Sequence, residues 1–568
     1  MKYTHQEKFL AEGLDQLIDM MKTCAVSGQS FEITDEDVKF YDRIGVTPPT
    51  LCPEERSMRR QSWRNEFYYY KRTCNCCKRK VLSVYSLKNK FPVYCQSCWW
   101  SDKLDAKQYG RDFDFSRPFF EQFKELYQEV PQLCIVNDDD LRSENCEYCH
   151  DFAYGKNCYL ASTTWHAEDT MYTQRGQYLL SVLDCDTIAR SELSYSCMHC
   201  QHLYSCCFLQ DSSTCQNCFL GINLNGCSDC FGCVGLRHKK YHILNKPYSK
   251  EEYKKEIKKF ETGSYEQLQK IKKQFYEFSL TIPRRNVYQV NCEDCTGDCL
   301  FNCKEVQGHS IFNGEYCKYY DGGADTPKNS YDILVGGLHE WCYESIVPDH
   351  SYLACFSNYC WKCNTVFYGD NCHSSHDLFG CISLKKNEYC ILNKQYSKEE
   401  YFSLREKIVE HMKEIGEWGE FFPIKLSPFS YNETVVQEYH SFAKEEALAR
   451  GYSWKEDEPK DYKPATISTI PDNIADVSDS IYQEVLACES CRKNYQIQKQ
   501  EFKFYCKMEL PIPHKCSDCR HKERIELRNP RKLWERNCEK CNTKIQTTFA
   551  PDRLEIMYCE KCYHGVVD

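Results

Sequence analysis

The sequence predicts a mainly β chain with short helices, in which two copies of a cysteine-pair module flank two tandem, cysteine-rich, β-solenoid-like domains. Three observations carry this reading: an ungapped repeat at a shift of 464 residues joins the two ends, a second repeat at a shift of 148 lies inside it, and 42 of the 568 residues are cysteine. A chain of this length can bury several cores, so cross-links are not needed merely to fold it. A cysteine scaffold means either disulfides in an oxidising compartment or thiolates on metal in a reducing one. Residues 1–21, MKYTHQEKFLAEGLDQLIDMM, are charged throughout and hold neither an apolar run nor a small-residue cleavage site. No stretch approaches a membrane-spanning length. The expectation is a cytoplasmic chain with no membrane partner, whose CxxC pairs mean metal.

The end modules come first. Cys24, Cys52, Cys74, Cys77, Cys95 and Cys98 fall on Cys488, Cys516, Cys538, Cys541, Cys559 and Cys562. Phe40-Tyr41 falls on Phe504-Tyr505, and Arg56, Arg60 and Arg64 fall on Arg520, Arg524 and Arg528. Seventeen residues separate Cys77 from Cys95, and seventeen separate Cys541 from Cys559. A CxxC turn sets two thiolates on one side of a metal, and a hairpin of that length returns the second pair to complete a tetrahedral, four-cysteine zinc site. Four protein ligands leave no open position, so such sites are structural. Cys488, Cys491, Cys516 and Cys519 form a further site. In the N-terminal copy Ser27 and Glu55 stand in the places of Cys491 and Cys519. The Cys24/Cys52 site is therefore expected to be empty, its fold resting on Phe31, Phe40 and Tyr41. About three zinc ions per chain are expected, each on four cysteines.

In the centre, Phe231 to Tyr253 matches Phe379 to Tyr401 at the 148-residue shift. Short β phrases (NCYLA, CCFLQ, NCFLG, DCFGCVGL) recur, with aromatics at Phe208, Phe219, Phe231 and Tyr241 and Asn, Gly, Asp and Ser between them. Even spacing of short strands predicts a solenoid that stacks like residues in ladders. Cys197/Cys200, Cys215/Cys218, Cys227/Cys230/Cys233, Cys292/Cys295 and Cys360/Cys363 all carry the CxxC step. A solenoid's strand pattern generates that step by itself, and cysteine packs as a small hydrophobe. Metal stays open as the other reading, including an iron–sulfur cluster on Cys292, Cys295, Cys299 and Cys303. Asn245 and Asn393 should occupy equivalent places. The domain plan is an N-terminal module over 1–130, solenoids over 131–248 and 286–396, and a helical connector over 249–285. A helix and polar linker follow over 397–483, then a double module over 484–568.

The stretch CESCRKNYQIQKQEFKFYCKMELPIPHKCSDCR, with its CxxC, FY, proline pair and CxxCR, resembles the probable zinc-ribbon domain family of treble-clef type. Through VYCQSCWWSD, DFDFSRPFFEQF, FGCVGLRHKKY, ILNKPYSKEEY and MYCEKCY, the whole chain resembles uncharacterised multi-zinc, cysteine-rich proteins of candidate-phylum bacteria. The resemblance implies zinc modules and supplies no activity.

For function, Arg56 to Lys80 holds nine basic residues and one acid, with Trp63 and Tyr68 to Tyr70 among them. Cys488 to Asp568 holds 17 Lys+Arg against 12 Asp+Glu in a chain of net charge −10. Clustered arginine with interleaved aromatics suits phosphate contact and base stacking. The sequence thus suggests a zinc-binding, non-catalytic protein whose end modules bind RNA or a ribonucleoprotein through Arg56, Arg60, Arg64, Arg520, Arg524 and Arg528. A protein-interaction scaffold is the alternative, and an enzyme acting on a polymer at the solenoid is a third reading. His166/Glu168/Asp169, Asp184/Asp186/Glu192, His339/Glu340 and His373/His376/Asp377 are clusters without a motif that assigns roles. The redox reading of CxxC lacks its βαβ context. The arginines decide between the first two: phosphate contact needs them in solvent, whereas burial against carboxylates makes them structural.

Overall fold

The computed structural model describes residues 20–137, 143–146, 148–456, 462, 464–467 and 469–567. The two end modules agree element by element at the 464-residue shift. Asp35–Ile44 corresponds to Lys499–Met508, Pro53–Gln61 to Ser517–Glu526, and the hairpin Tyr70–Thr73/Lys80–Ser83 to Trp534–Asn537/Lys544–Thr547. Most elements are too short to persist alone, so each module depends on what it docks against.

Between the modules the chain winds into two solenoids, whose sheets hold ten and eleven strands stacked in chain order. Successive strands are parallel at a step of twelve residues, as in Ile188↔Cys200 and Val366↔Leu378. Only the last pair of each sheet is antiparallel. The steps are eleven and then up to thirteen residues at the start of the second solenoid, from Thr296↔Gln307 to Ile311↔Ala324.

The coil has a finer period. Every third residue sits in the left-handed region: Tyr172, Arg175, Tyr178, Ser181 and Asp184 have φ of 55°, 54°, 55°, 54° and 55°. Two extended residues and one left-handed corner make a side, and four sides make a twelve-residue coil. Corners outside glycine normally fall to Asn or Asp, because other side chains crowd the following carbonyl by about 1–2 kcal/mol. Here Thr163, Leu193, Val335 and Val347 also take them. This corrects the expectation that Asn, Gly, Asp and Ser form the turns between the short strands. The ladder hydrogen bonds on each side of the corner stabilise it whatever the side chain.

The residue that follows each corner points inwards, so the interior also has period three. Cys197, Cys200, Leu203, Cys206 and Leu209 line it in succession, all buried. This places the central CxxC cysteines: they are consecutive interior positions. Small polar interior residues bond the backbone around them: Cys197, Cys200 and Cys206 each donate to two carbonyls, and some residues also accept from an N–H. The Cys185 thiol donates to the Leu183 carbonyl at 3.3 Å and accepts from the Cys197 N–H, one coil on, at 3.2 Å. The Ser330 hydroxyl does the same with Lys328 and Cys342, at 2.7 and 3.0 Å. Cysteine, serine and threonine satisfy backbone groups that a wholly apolar interior would strand.

Asn245 and Asn393 end the two solenoids in the same way. Each bonds the N–H and C=O of the residue eleven back, Val234 at 2.8 Å for both bonds and Ile382 at 2.7 and 2.9 Å, and so imitates a further coil. The chain then turns back and enters a helix capped by Ser249 with Glu252, or by Ser397 with Glu400. Tyr253 and Tyr401 on these helices close the interior.

The modules dock crosswise. Helix Pro53–Gln61 of the N-terminal module lies against strands Glu315–Asp325, Tyr331–Gly337 and Tyr343–Ile346 of the second solenoid. The C-terminal module packs its Phe504 and Tyr505 with Leu183, Tyr195 and Cys207 of the first. Tyr41 meets Tyr343 edge-on at 5.3 Å, and Tyr505 meets Tyr195 at 5.6 Å. Both partners are related by the repeat shifts, so the fold is a module–solenoid pair used twice.

If the interior thiols act as hydrogen-bonding groups, Cys185→Ser will cost less stability than Cys185→Val, although valine is the more apolar. Valine orphans the Cys197 N–H, at about 1–3 kcal/mol for a buried unsatisfied group. Thermal melting of both variants decides, and an equal or smaller loss for valine would refute the account.

Candidate metal centres and the buried arginine clusters

Three groups of four thiols converge: Cys74, Cys77, Cys95 and Cys98; Cys488, Cys491, Cys516 and Cys519; and Cys538, Cys541, Cys559 and Cys562, each with all sulfurs within 4.8 Å of one another. Each is able to hold a metal ion, and the same local geometry builds all three. The first pair sits on a turn closed by N–H to C=O bonds onto the leading cysteine, Lys78 to Cys74 at 3.0 Å, Arg492 to Cys488 at 3.0 Å and Asn542 to Cys538 at 2.7 Å. The donating residue is left-handed in every case, with φ of 64°, 64° and 60°. The second pair opens a helix, at Gln96–Trp100, Ser517–Glu526 and Glu560–Val567. Free N–H groups at a helix start favour anions, here thiolates.

One sulfur in each group is already inclined to ionise. Burial pushes Cys95 up, but the Cys98 backbone, Arg79 and neighbouring thiols bring it down to about 6. Burial likewise opposes, and backbone donors outweigh it, at Cys488, which falls to about 7. The Thr543 hydroxyl leads in bringing Cys541 to about 6.

The fourth, N-terminal position keeps the turn without the ligands. Gly28 bonds to the Cys24 carbonyl at 3.0 Å. Ser27 Oγ lies 3.7 Å from Cys52 Sγ, and Glu55 turns away to Arg450 at 3.2 Å. Two thiols remain, backed by buried Phe31, Phe40 and Tyr41.

The central cysteines do not assemble into such groups among the described residues. Cys292 and Cys303 point inwards and donate to carbonyls of their own solenoid, Cys292 to Leu300 at 3.4 Å and Cys303 to Ile311 at 3.5 Å. Cys299 instead occupies a corner, with φ 57°, among Tyr288 and Phe301. Cys299 therefore faces away from the other three cysteines of the suspected iron–sulfur run, which line the interior.

The arginines overturn the expectation of solvent-facing cations. Arg56, Arg60 and Arg64 are 2%, 0% and 0% exposed, and the side chains of Arg520, Arg524 and Arg528 are 8%, 5% and 7% exposed. Arg56 pairs with Asp332 at 2.9 Å, and Arg520 with Asp184 at 2.8 Å. These contacts are the same contact twice, because the 464-residue shift relates the arginines and the 148-residue shift relates the aspartates. Arg60 adds Asp332 at 3.0 Å and Glu344 at 2.7 Å, and Arg524 adds Asp184 at 3.2 Å. Arg64 binds Glu66 and, at 2.6 Å, Asp151 of the first solenoid. Arg528 binds Glu438 at 3.1 Å and stacks on Tyr439. The i, i+4 spacing does line the arginines along one helix face, but that face is the docking face.

Desolvation and charge compete in these clusters. Burial raises Glu344 to about 7 and Asp151 to about 6 despite their arginines. Burial opposes ionisation of Glu438 too, but Arg175, the His521 ring and Arg528 together bring it down to about 2.

The remaining clusters separate by face. Asp184 and Asp186 serve the ion pairs, and Glu192 stands apart from them. His339 and His373 are buried, and burial lowers both to about 3. His376 faces Glu388 at 2.9 Å on the surface. His166 belongs to an outer ladder that reading the sequence missed: Tyr154, His166 and Tyr178 stack at 4.6 and 4.7 Å, Arg190 covers Tyr178, and His202 follows. Their constant twelve-residue spacing was the available signal. The docking aspartates were also findable, by extending the 148-residue comparison beyond the part that is visibly alike.

No helix among the described residues is long and apolar enough to cross a membrane. Comparison of the sequence with protein-family models and with curated proteins gives no match.

The depressed Glu438 has a pH signature. Its folded value lies below its ordinary 4.5, so its stabilisation is complete above that pH and is lost as pH falls towards about 2. Glu438→Gln should cost about 3 kcal/mol at pH 7, as breaking one partner from a buried pair does. The gap in Tm from the parent should close between pH 4.5 and 2. A gap that stays constant over that window would contradict the assignment.

Proposed function

We propose that this protein is a zinc-stapled, non-catalytic binding scaffold. The observation that carries the reading is the burial of all six arginines in ion pairs with the solenoids: the charges that would have met phosphate instead fix the modules in place. The twelve tetrad cysteines suit zinc, a metal that takes four thiolates in closed tetrahedral sites and contributes folding energy there. Turn-plus-helix geometry at every site supports the resemblance to treble-clef zinc modules and to multi-zinc, cysteine-rich proteins. Among the described residues, the polar clusters singled out in the sequence (His166/Glu168/Asp169, Asp184/Asp186/Glu192, His339/Glu340 and His373/His376/Asp377) do not combine a nucleophile, a base and a group that orients it, which favours binding over turnover at those places.

The surface on offer is the outer face of the first solenoid. Tyr154, His166, Tyr178, Arg190 and His202 line a shallow groove there with Leu180 and Tyr204, and Tyr154, Tyr178, Leu180 and Tyr204 are exposed. Aromatic and arginine side chains on a rigid frame make effective interface anchors, and we assign this face to a protein partner. The same ladder favours a second reading, single-stranded RNA, because exposed aromatic rings beside an arginine are groups on which bases stack.

Two variants of the full chain and one probe separate the readings. Arg520→Ala/Arg524→Ala/Arg528→Ala should lower Tm markedly, since each uncovered carboxylate costs about 3–5 kcal/mol. It should leave binding of a fluorescent oligouridylate unchanged. The scaffold reading expects that probe to bind weakly in the parent. If it binds tightly, with a steep salt dependence that the arginine variant flattens, RNA recognition by the end modules returns. Tight binding abolished by Tyr154→Ala/Tyr178→Ala would move RNA to the ladder.

A further inference from the structure

Where the two solenoids meet the C-terminal module, His199, Asp211 and Cys299 bring one ligand atom each within 4.8 Å of one another. His199 and Asp211 come from neighbouring coils of the first solenoid and Cys299 from a corner of the second. The His199 Nδ1 lies 3.3 Å from Asp211 Oδ1. The three border a cavity of about 30 Å³ that His309, Arg528 and Arg531 also line. About 10–15 Å³ already holds one water, so there is room for an ion with one small ligand.

The internal duplication shows that the fold does not require these residue types. The matching position elsewhere is a closed ion-pair cluster in which Arg64 bonds Asp151 at 2.6 Å and Tyr359 at 3.2 Å, with Glu66 beside them. The 148-residue shift carries Asp151 to Cys299, Tyr359 to Asp211 and Val347 to His199, while the 464-residue shift carries Glu66 to Pro530. One copy thus has a sealed salt bridge. In the other, the carboxylates that sealed it are gone, and a thiol, an imidazole and a carboxylate converge on a small cavity. Arg528, the counterpart of Arg64, turns instead to Glu438 at 3.1 Å.

We propose that His199, Asp211 and Cys299 form a further zinc site with three protein ligands and one exchangeable position. A mixed nitrogen, oxygen and sulfur set suits zinc, and three protein ligands are the number at which zinc keeps a position open. Binding releases the Cys299 thiol proton to solvent, as ligation of any cysteine does. The thiolate and the Asp211 carboxylate neutralise the ion. The Arg528 and Arg531 guanidiniums on the cavity wall then select a small anion for the fourth position.

The test uses the intact chain. Elemental analysis should give four zinc ions per chain, three in the four-cysteine groups and one here. His199→Ala/Cys299→Ser should give three. In cobalt-substituted parent protein, azide should shift the visible absorption of one site only, because the four-cysteine groups are coordinatively saturated, and the double variant should lose that response. If circular dichroism shows the double variant unfolded, the near-isosteric Asp211→Asn carries the same two measurements. Three zinc ions in the parent with every four-cysteine group loaded, or an azide response that survives in a folded variant, overturns the site.

Discussion

A left-handed corner at every third residue is the constraint from which the rest of this structure follows. It makes each side of the coil three residues long, so interior positions also come every third residue and neighbouring interior side chains are close. It leaves backbone N–H groups facing that interior, and a thiol or hydroxyl is small enough to fit and polar enough to bond them, as Cys185 and Ser330 do. The cysteine content of the centre is thus a hydrogen-bonding requirement in a confined space. Burial also pushes Cys197, Cys200 and Cys207 well above the ordinary thiol range.

The corners also decide how the modules are held. A corner side chain points out of the coil, and the residues that receive the arginines (Asp151, Asp332, Glu344 and Asp184) are all left-handed. A rigid coil presents them at fixed intervals, and a short helix presents arginines at i, i+4 against them. Buried ion pairs add little net stability, because desolvation offsets their attraction, but a misplaced partner leaves a bare charge and is strongly disfavoured. Apolar contacts such as Tyr41 on Tyr343 supply attraction, and the ion pairs fix register. Crosswise docking then ties the two ends of the chain to opposite halves of the centre, so that a metal ion held by the cysteines at either end would stabilise a distant solenoid.

Legibility in the sequence follows the distance over which each feature is encoded. The four-cysteine groups depend on short spacings, a turn and a hairpin for Cys74 to Cys98 and Cys538 to Cys562, and a turn and the helix Lys499–Met508 for Cys488 to Cys519, and they come together as those spacings require. The solenoid shows through its repeating phrases, and the CxxC step within it belongs to the strand pattern. The three-residue corner does not show, because residues as unlike as Val335, Arg175 and Tyr178 occupy it and only the backbone is shared. The fate of the arginines is hidden for another reason. The aspartates that Arg56, Arg60, Arg520 and Arg524 meet, Asp332 and Asp184, lie hundreds of residues away, in segments whose net charge gives no hint that they will be buried together. Sequence shows one helical face of arginine, and only the fold says what that face meets.

Duplication within one chain provides its own control over which residues the fold needs. Where both copies keep a contact, as in Arg56 on Asp332 and Arg520 on Asp184, the fold depends on it. Where the copies differ, the fold tolerates either choice, and the difference needs a separate cause. The N-terminal Cys24/Cys52 position lost two ligands yet kept its turn, which is possible because Phe40 and Tyr41 stack on Tyr331 and Tyr343 whether or not metal is bound. Its counterpart at Cys488 to Cys519 retains all four. Drift alone accounts for losing ligands, since random substitution removes thiolates far more easily than it assembles them. It does not account for the difference at the solenoid junction, where a sealed salt bridge in one copy corresponds to convergent imidazole, carboxylate and thiol in the other. The copies differ there at three spatially joined positions at once, Val347, Tyr359 and Asp151 against His199, Asp211 and Cys299, and the needs of the fold do not account for three metal-binding residue types meeting at one point.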